Sequence, residues 1–253
     1  MARAALALLT LATLSTASPP AARAKGPSSS GPRLTARPAA PARPAEPGLT
    51  HLTLDPQRDA LLFVPAHTAP GAKLPFILLL HGATMRPESQ LRLFQEMAES
   101  KGIALLAVKS LDYTWDAIRG DYGPDLAFIY RALKEAFATV RVDPARVAVE
   151  GFSDGATYAL GLALSNGDLF TSAMIFSAGF LPVMQKNGSP RLFISHGTAD
   201  RILPIDRSGR PVVALLRAAK YRIEYREFAG PHAVPPDIAA AAVDWFLAGP
   251  GGK

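Results

Sequence analysis

Val147-Ala148-Val149-Glu150-Gly151-Phe152-Ser153-Asp154-Gly155-Ala156 is the stretch on which the reading of the whole chain turns. Val147 to Val149 has the composition of a buried strand, and Gly155 to Leu164 has helical spacing, so a strand-to-helix turn carries Gly-x-Ser-x-Gly. The spacing has a mechanical reason. A turn this tight forces the serine into a strained backbone conformation, and flanking glycines let strand and helix approach closely enough for its hydroxyl to stand clear. With 20 Gly and 15 Ser in 253 residues, the pattern alone arises by chance in about one such chain in ten, so its context has to carry it.

That context is an alternation of short apolar runs with helical segments, which predicts a mostly parallel central sheet with helices on both faces, an α/β fold. Phe76–Leu80, Ile103–Val108, Val147–Val149, Ala173–Phe176, Leu192–Ile194 and Ile223–Phe228 read as strands covered on both faces, and Ala60–Val64 as an antiparallel lead-in. Glu88–Ser100, Pro124–Val140, Gly155–Leu164, Arg210–Lys220 and Pro236–Leu247 read as the covering helices. Sites in such sheets sit at the carboxyl ends of the strands.

Two of those ends complete a chemical constellation. A serine hydroxyl needs a base within hydrogen-bond reach, and the base needs a carboxylate to orient it. After Leu192–Ile194 comes Ser195-His196-Gly197-Thr198-Ala199-Asp200, which makes Asp200 the candidate acid. After Phe228 comes Ala229-Gly230-Pro231-His232, which makes His232 the candidate base and Ser153 the candidate nucleophile. The order Ser, Asp, His is that of α/β-hydrolases. A tetrahedral oxyanion would take two backbone N–H donors, one from the residue after the nucleophile, Asp154, and one from the loop after Phe76–Leu80. In His81-Gly82-Ala83-Thr84 that donor is assigned to Ala83, with Thr84 as second candidate.

The motifs Gly151-Phe152-Ser153-Asp154-Gly155-Ala156, His196-Gly197-Thr198-Ala199-Asp200 with Leu203-Pro204, and Gly230-Pro231-His232 with Pro235-Pro236 resemble the phospholipase/carboxylesterase branch of bacterial α/β-hydrolases. The likeness covers about residues 58 to 247. It implies an α/β-hydrolase fold and hydrolysis of a small-molecule carboxylic ester through an acyl-serine, without metal or cofactor. Where better-known members carry Gly-Phe-Ser-Gln-Gly and His-Gly followed by Leu-Gly-Asp, this chain has Asp154 for the Gln and Ala83-Thr84-Met85 after the His-Gly. That departure breaks any transfer of substrate identity. The same three residues would also serve an amidase or peptidase, and a catalytically silent binding protein on this fold is the alternative of a different class.

Around the constellation, Tyr113 and Trp115 follow a strand at the active end and are candidates to line a substrate pocket, with loop packing as the competing role for Trp115. His81 and His196 each end a strand beside a glycine and read as supports of their turns, since metal sites need convergent ligands. Only about 15 residues separate Phe176 from Leu192, too few for a sizeable lid. An open site follows, suited to short-chain esters, with Phe180, Leu181 and Val183 as a possible acyl rim.

The amino terminus is of another kind. Arg3, the Ala/Leu/Thr run Ala4–Leu14 and the small residues up to Ala24 have the layout of a secretory signal peptide, which predicts export, periplasmic or secreted, and leaves no stable membrane anchor after processing. Residues 25–48 are rich in Pro, Ala and Arg with few large apolar side chains, which predicts a disordered linker dispensable for catalysis, followed by one folded domain over 49–248. Of the net charge of +6, residues 1–48 hold Arg3, Arg23, Lys25, Arg33, Arg37 and Arg43 against Glu46, so the body is nearly neutral and no nucleic-acid partner is expected. Zero Cys excludes disulfides, Cys-ligated metals, a thiol nucleophile and an acylated lipoprotein anchor.

Overall fold

The computed structural model describes residues 31–69 and 71–249, and the predicted signal peptide, residues 1–24, lies outside them. Eight strands form one sheet: β1 (Gly48–His51), β2 (Ala60–Val64), β3 (Leu74–Leu80), β4 (Ala104–Val108), β5 (Val142–Phe152), β6 (Ser172–Phe176), β7 (Arg191–Gly197) and β8 (Ile223–Phe228). Their order is β1-β2-β4-β3-β5-β6-β7-β8, with β1 and β2 antiparallel and the six from β4 to β8 parallel. The chain has the α/β-hydrolase fold.

The period of two along each strand divides the core. In β3, Ile77 and Leu79 face α1 (Pro87–Lys101) and α6 (Pro236–Ala248), where they meet Leu91, Phe94, Ala242 and Phe246. Phe76, Leu78 and Leu80 face the opposite side, covered by α3 (Pro124–Thr139), α4 (Asp154–Ser165) and α5 (Gly209–Ala218). α4 is buried from Gly155 to Ser165, which explains why it is apolar all round rather than amphipathic. A four-residue helix, α2 (Asp116–Arg119), interrupts the connection from β4 to α3. Residues 177–190 contain no helix or strand, as the short connection predicts.

The two sheet edges depart from the sequence reading. β1 is a short, largely exposed strand with no apolar run to announce it. β8 is half-exposed rather than covered on both faces, and Glu224, Arg226 and Glu227 blunt that edge against pairing with another chain.

The expected disordered linker, 25–48, is also corrected over its described part. Residues 31–47 run as an extended strap across α3 and the end of α4, with Leu34 (1% exposed) and Ala36 inserted in the core. Asn166 clamps it by donating from Nδ2 to Pro32 O (2.6 Å) and accepting at Oδ1 from Leu34 N–H (2.7 Å). Arg33 bonds Ser165 O (2.6 Å) and both oxygens of Asp168, and Arg37 also reaches Asp168. The Arg33 hydrogen bonds lead in holding the Asp168 carboxyl at about 2. Ala42 and Ala45 donate to the backbone at the end of α3. Composition averaged over the segment hides one leucine and two arginines that suffice to dock it. Leu34→Ala is therefore expected to destabilise the fold by about 2–5 kcal/mol, the range for a buried leucine, read as a lowered urea midpoint at unchanged slope.

Candidate active site

The turn from β5 to α4 places Ser153 at φ 56°, ψ −120°, a strained conformation for a residue with a Cβ. The flanking glycines are sterically compulsory. A Cβ on Gly151 would lie 2.2 Å from Gly155 O, and one on Gly155 would lie 2.2 Å from Leu80 O. The serine N–H is fixed by Phe176 O on the neighbouring strand (2.9 Å), and the residue as a whole remains 8% exposed.

The three predicted side chains meet. His232 Nε2 lies 2.8 Å from Ser153 Oγ, and His232 Nδ1 lies 2.6 Å from Asp200 Oδ2. Asp200 Oδ1 accepts the backbone N–H groups of Ile202 (2.9 Å) and Leu203 (2.8 Å). Burial works against the Asp200 charge, but the Leu203 N–H, the His232 contact and the Ile202 N–H outweigh it and hold the carboxyl below its ordinary range. Beneath it His196 is fully buried, with Nε2 donating to Leu203 O (2.8 Å) and standing 3.2 Å from Asp200 Oδ2. The turn-support role read for His196 thus extends to the acid's own loop. Phe152 packs its ring against His232 at 4.7 Å between centroids, which limits the imidazole's tilt.

At the expected oxyanion position, Asp154 is the first residue of α4, so its N–H has no carbonyl within the helix. The Ala83 N–H takes no partner among the described residues. The Thr84 N–H does not share that freedom: it donates to Tyr113 O (2.6 Å), which removes the second candidate and leaves Ala83. His81, the other turn histidine, donates from Nδ1 to Gly82 O (2.8 Å) and accepts Ser110 N–H at Nε2 (3.1 Å). That pattern requires the neutral ring, and burial pushes its pKa down accordingly.

The pocket candidates separate. Trp115 is fully buried, donating from Nε1 to His81 O (2.9 Å) and stacking between His81 and Tyr158, so its pocket role is withdrawn. Its size and apolarity favoured the core over the cleft. Tyr113 is exposed, with the Arg119 guanidinium over its ring. Phe180 is half-exposed and lines a cavity of about 460 Å³ with Ile118, Tyr122, Pro182 and Val183, to which no triad residue contributes.

A buried acid close to the nucleophile escaped the sequence reading. Glu150, three residues before the serine, has no exposed surface; Gln90 Nε2 on α1 donates to its Oε1 (2.6 Å), while Oε2 has no partner among the described residues. Burial pushes this carboxyl well above its usual range. A group that holds its proton more tightly folded than unfolded contributes stability that is complete below the unfolded pKa and declines as pH rises toward the folded value. Glu150→Gln keeps the Gln90 contact without the ionisable group. It is expected to melt higher than the parent at pH 8, with a gain that shrinks toward pH 4.5 by at most about 1.4 kcal/mol per pH unit. Thermal melts of both proteins across that range test it.

Comparisons with known proteins agree on the fold. No family model matches the chain. NocK of Nocardia uniformis subsp. tsuyamanensis, whose own designation as an esterase is provisional, is 30% identical over 157 residues, 55% of this chain and 45% of that protein. The chain thus spans about half the length of this curated relative. Among solved structures, a thermostable esterase superposes with a TM-score of 0.63 at 18% identity, covering 79% of this chain and 62% of the other. S-formylglutathione hydrolase FrmB from Staphylococcus aureus gives 0.63 at 15% identity over 80% and 100%. Thermogutta terrifontis esterase 2, phosphorylated by paraoxon, gives 0.62 at 18% over 81% and 95%.

Proposed function

We propose that this protein is a serine hydrolase that cleaves small carboxylic esters. The observation that carries the reading is the unbroken hydrogen-bonded series from Ser153 through His232 to Asp200 at the end of a strained turn. In this mechanism His232 Nε2 takes the Ser153 proton as Oγ bonds to the ester carbonyl carbon. The N–H groups of Ala83 and Asp154 hold the oxyanion of the tetrahedral intermediate. Protonated His232, steadied by ionised Asp200, gives its proton to the departing alkoxide as the C–O bond breaks, so the alcohol leaves and the acyl group stays on Ser153 Oγ as an acyl-serine. Water then enters, loses a proton to His232 and attacks the acyl carbon. Collapse of the second intermediate returns the proton to Ser153 and frees the acid.

The absence of helix or strand in residues 177–190 supports an uncovered cleft and short acyl chains, with Tyr113 at its rim. Export is part of the proposal and rests on Arg3 and the apolar run Ala4–Leu14. Nitrophenyl esters from acetate to palmitate, assayed beside peptide anilides, test the substrate class. The fastest turnover is expected on the shortest acyl groups; faster turnover of the anilides would make the protein an amidase, and palmitate as best substrate would remove the short-chain assignment.

A further inference from the structure

Three consecutive residues of the loop after β4 each hold a different part of the proposed oxyanion hole. Tyr113 O accepts the Thr84 N–H (2.6 Å), which fixes the peptide immediately after Ala83. Thr114 Oγ1 donates to Asp154 Oδ2 (2.5 Å), and Trp115 Nε1 donates to His81 O (2.9 Å). The loop thus bonds both to the turn from β3 that carries Ala83 and to the elbow that carries Asp154. These segments belong to different strand-to-helix crossings, β3–α1 and β5–α4, and the two N–H groups must converge on one oxygen.

The loop is itself braced from behind. Asp125, at the start of α3, accepts from Leu111 N–H and Asp116 N–H (2.8 Å each) and pairs with the buried Arg58 (2.5 Å). Asp116 in turn accepts from Gly123 N–H and Asp125 N–H (2.8 Å each) and from Tyr158 OH (3.1 Å). Asp125 and Thr114 are each 2% exposed, while Asp116 and Asp154 are half-buried, so solvent has only partial access to these bonds. A brace of this many charge-assisted bonds, anchored on the buried Arg58–Asp125 pair, restricts the loop's geometry.

We propose that Thr114 is a positioning residue of the oxyanion hole: its hydroxyl holds the Asp154 carboxylate toward the β4 loop, aligning the Asp154 N–H with that of Ala83 and keeping the carboxylate charge turned from the developing oxyanion. The charge matters as much as the alignment. A carboxylate on the very residue that donates to the oxyanion raises the energy of that oxyanion if it is free to swing toward it. A threonine hydroxyl supplies a short, charge-assisted anchor and adds no competing charge of its own. This accounts for the tolerance of an acidic residue after the nucleophile and gives the Asp154 side chain, whose part could not be read in the sequence, a definite role.

The proposal rests on the esterase reading, and its test separates the two. The wild-type protein is assayed first on nitrophenyl acetate; no turnover there or on longer esters would overturn the reading and the proposal together. Thr114→Val preserves shape and deletes the hydroxyl. It is expected to lower kcat about 10- to 100-fold with KM changed less than about threefold, because the lost interaction acts on the transition state. Thr114→Ser is expected to recover most of the rate, which a merely space-filling residue would not require. In an Asp154→Asn background the Thr114→Val change is expected to cost clearly less than in the parent, since no carboxylate then needs restraining. Should Thr114→Val fail to fold, Thr114→Ala removes the same hydroxyl with less bulk; the same kcat loss at similar KM is expected, and a folded Thr114→Ala protein with kcat within twofold of wild type overturns the proposal. A folded Thr114→Val protein with kcat within twofold of wild type, or with its loss confined to KM, or with equal cost in the Asp154→Asn background, overturns the proposal.

Discussion

Ser153→Ala is expected to lower kcat for ester hydrolysis by about 10⁴ to 10⁶ while leaving the fold and the melting temperature nearly unchanged. The hydroxyl is the group in which the whole arrangement converges: His232 is 2.8 Å from it, and Asp200 serves it through His232. Loss of the oxygen removes the proposed covalent route, so only the residual acceleration from the proposed oxyanion donors and substrate binding is expected to remain. The fold is expected to survive because Ser153 is held by its backbone N–H to Phe176 O, a bond that alanine keeps. Strain at φ 56° is present in either residue and so does not separate them. A Ser153→Ala protein that retains more than about a tenth of the wild-type rate would place the nucleophile elsewhere.

The second large effect is expected at Asp200. Its Oδ1 accepts two backbone N–H groups, from Ile202 and Leu203, while Oδ2 faces His232 Nδ1. In Asp200→Asn those two donors keep the amide oxygen at the Oδ1 place, which forces the NH₂ group toward His232. The imidazole must then accept at Nδ1 and carry its proton on Nε2, where it cannot take one from Ser153. That wrong tautomer costs about 10⁴ in kcat in a comparable triad. Asp206 and Asp237 provide the contrast. Asp206 is exposed and paired with Arg210, and Asp237 lies exposed in the first turn of α6, where a carboxylate offsets the helix dipole. Their Asn variants are expected to lose less than about threefold, since neither touches His232. Measuring kcat for the three variants side by side checks the assignment, and an Asp206 or Asp237 variant more damaged than Asp200→Asn would reverse it.

The outline of the sheet could be read from the sequence because its inner strands are apolar on both faces and its helices show helical spacing. The same physics marks the triad. Each member directly follows a strand, so locating Val147–Val149, Leu192–Ile194 and Ile223–Phe228 also located the turns after them. What could not be read depends on individual side chains meeting across long separations. Arg58 and Asp125 lie 67 residues apart, and Gln90 and Glu150 lie 60 apart. No local period announces such pairs. β1 escaped because an exposed edge strand needs no apolar run, and the strap at 31–47 escaped because one leucine in the right slot outweighs a segment's average composition. Trp115 stays open between pocket and core in the sequence for a related reason: a strand end supplies both the cleft and the core beneath it, and only packing tells which way a ring turns.

The central claim is that Ser153 is a nucleophile activated by His232, and covalent labelling tests it most directly. Treatment with a fluorophosphonate, followed by intact-protein mass spectrometry and peptide mapping, is expected to give one adduct per chain, on Ser153. In a folded His232→Ala protein the labelling rate is expected to fall by at least about a hundredfold, the upper part of the contribution of a positioned general base lying well beyond that. No adduct on the wild-type protein, an adduct on another residue, or a His232→Ala protein labelled at the wild-type rate would contradict the account.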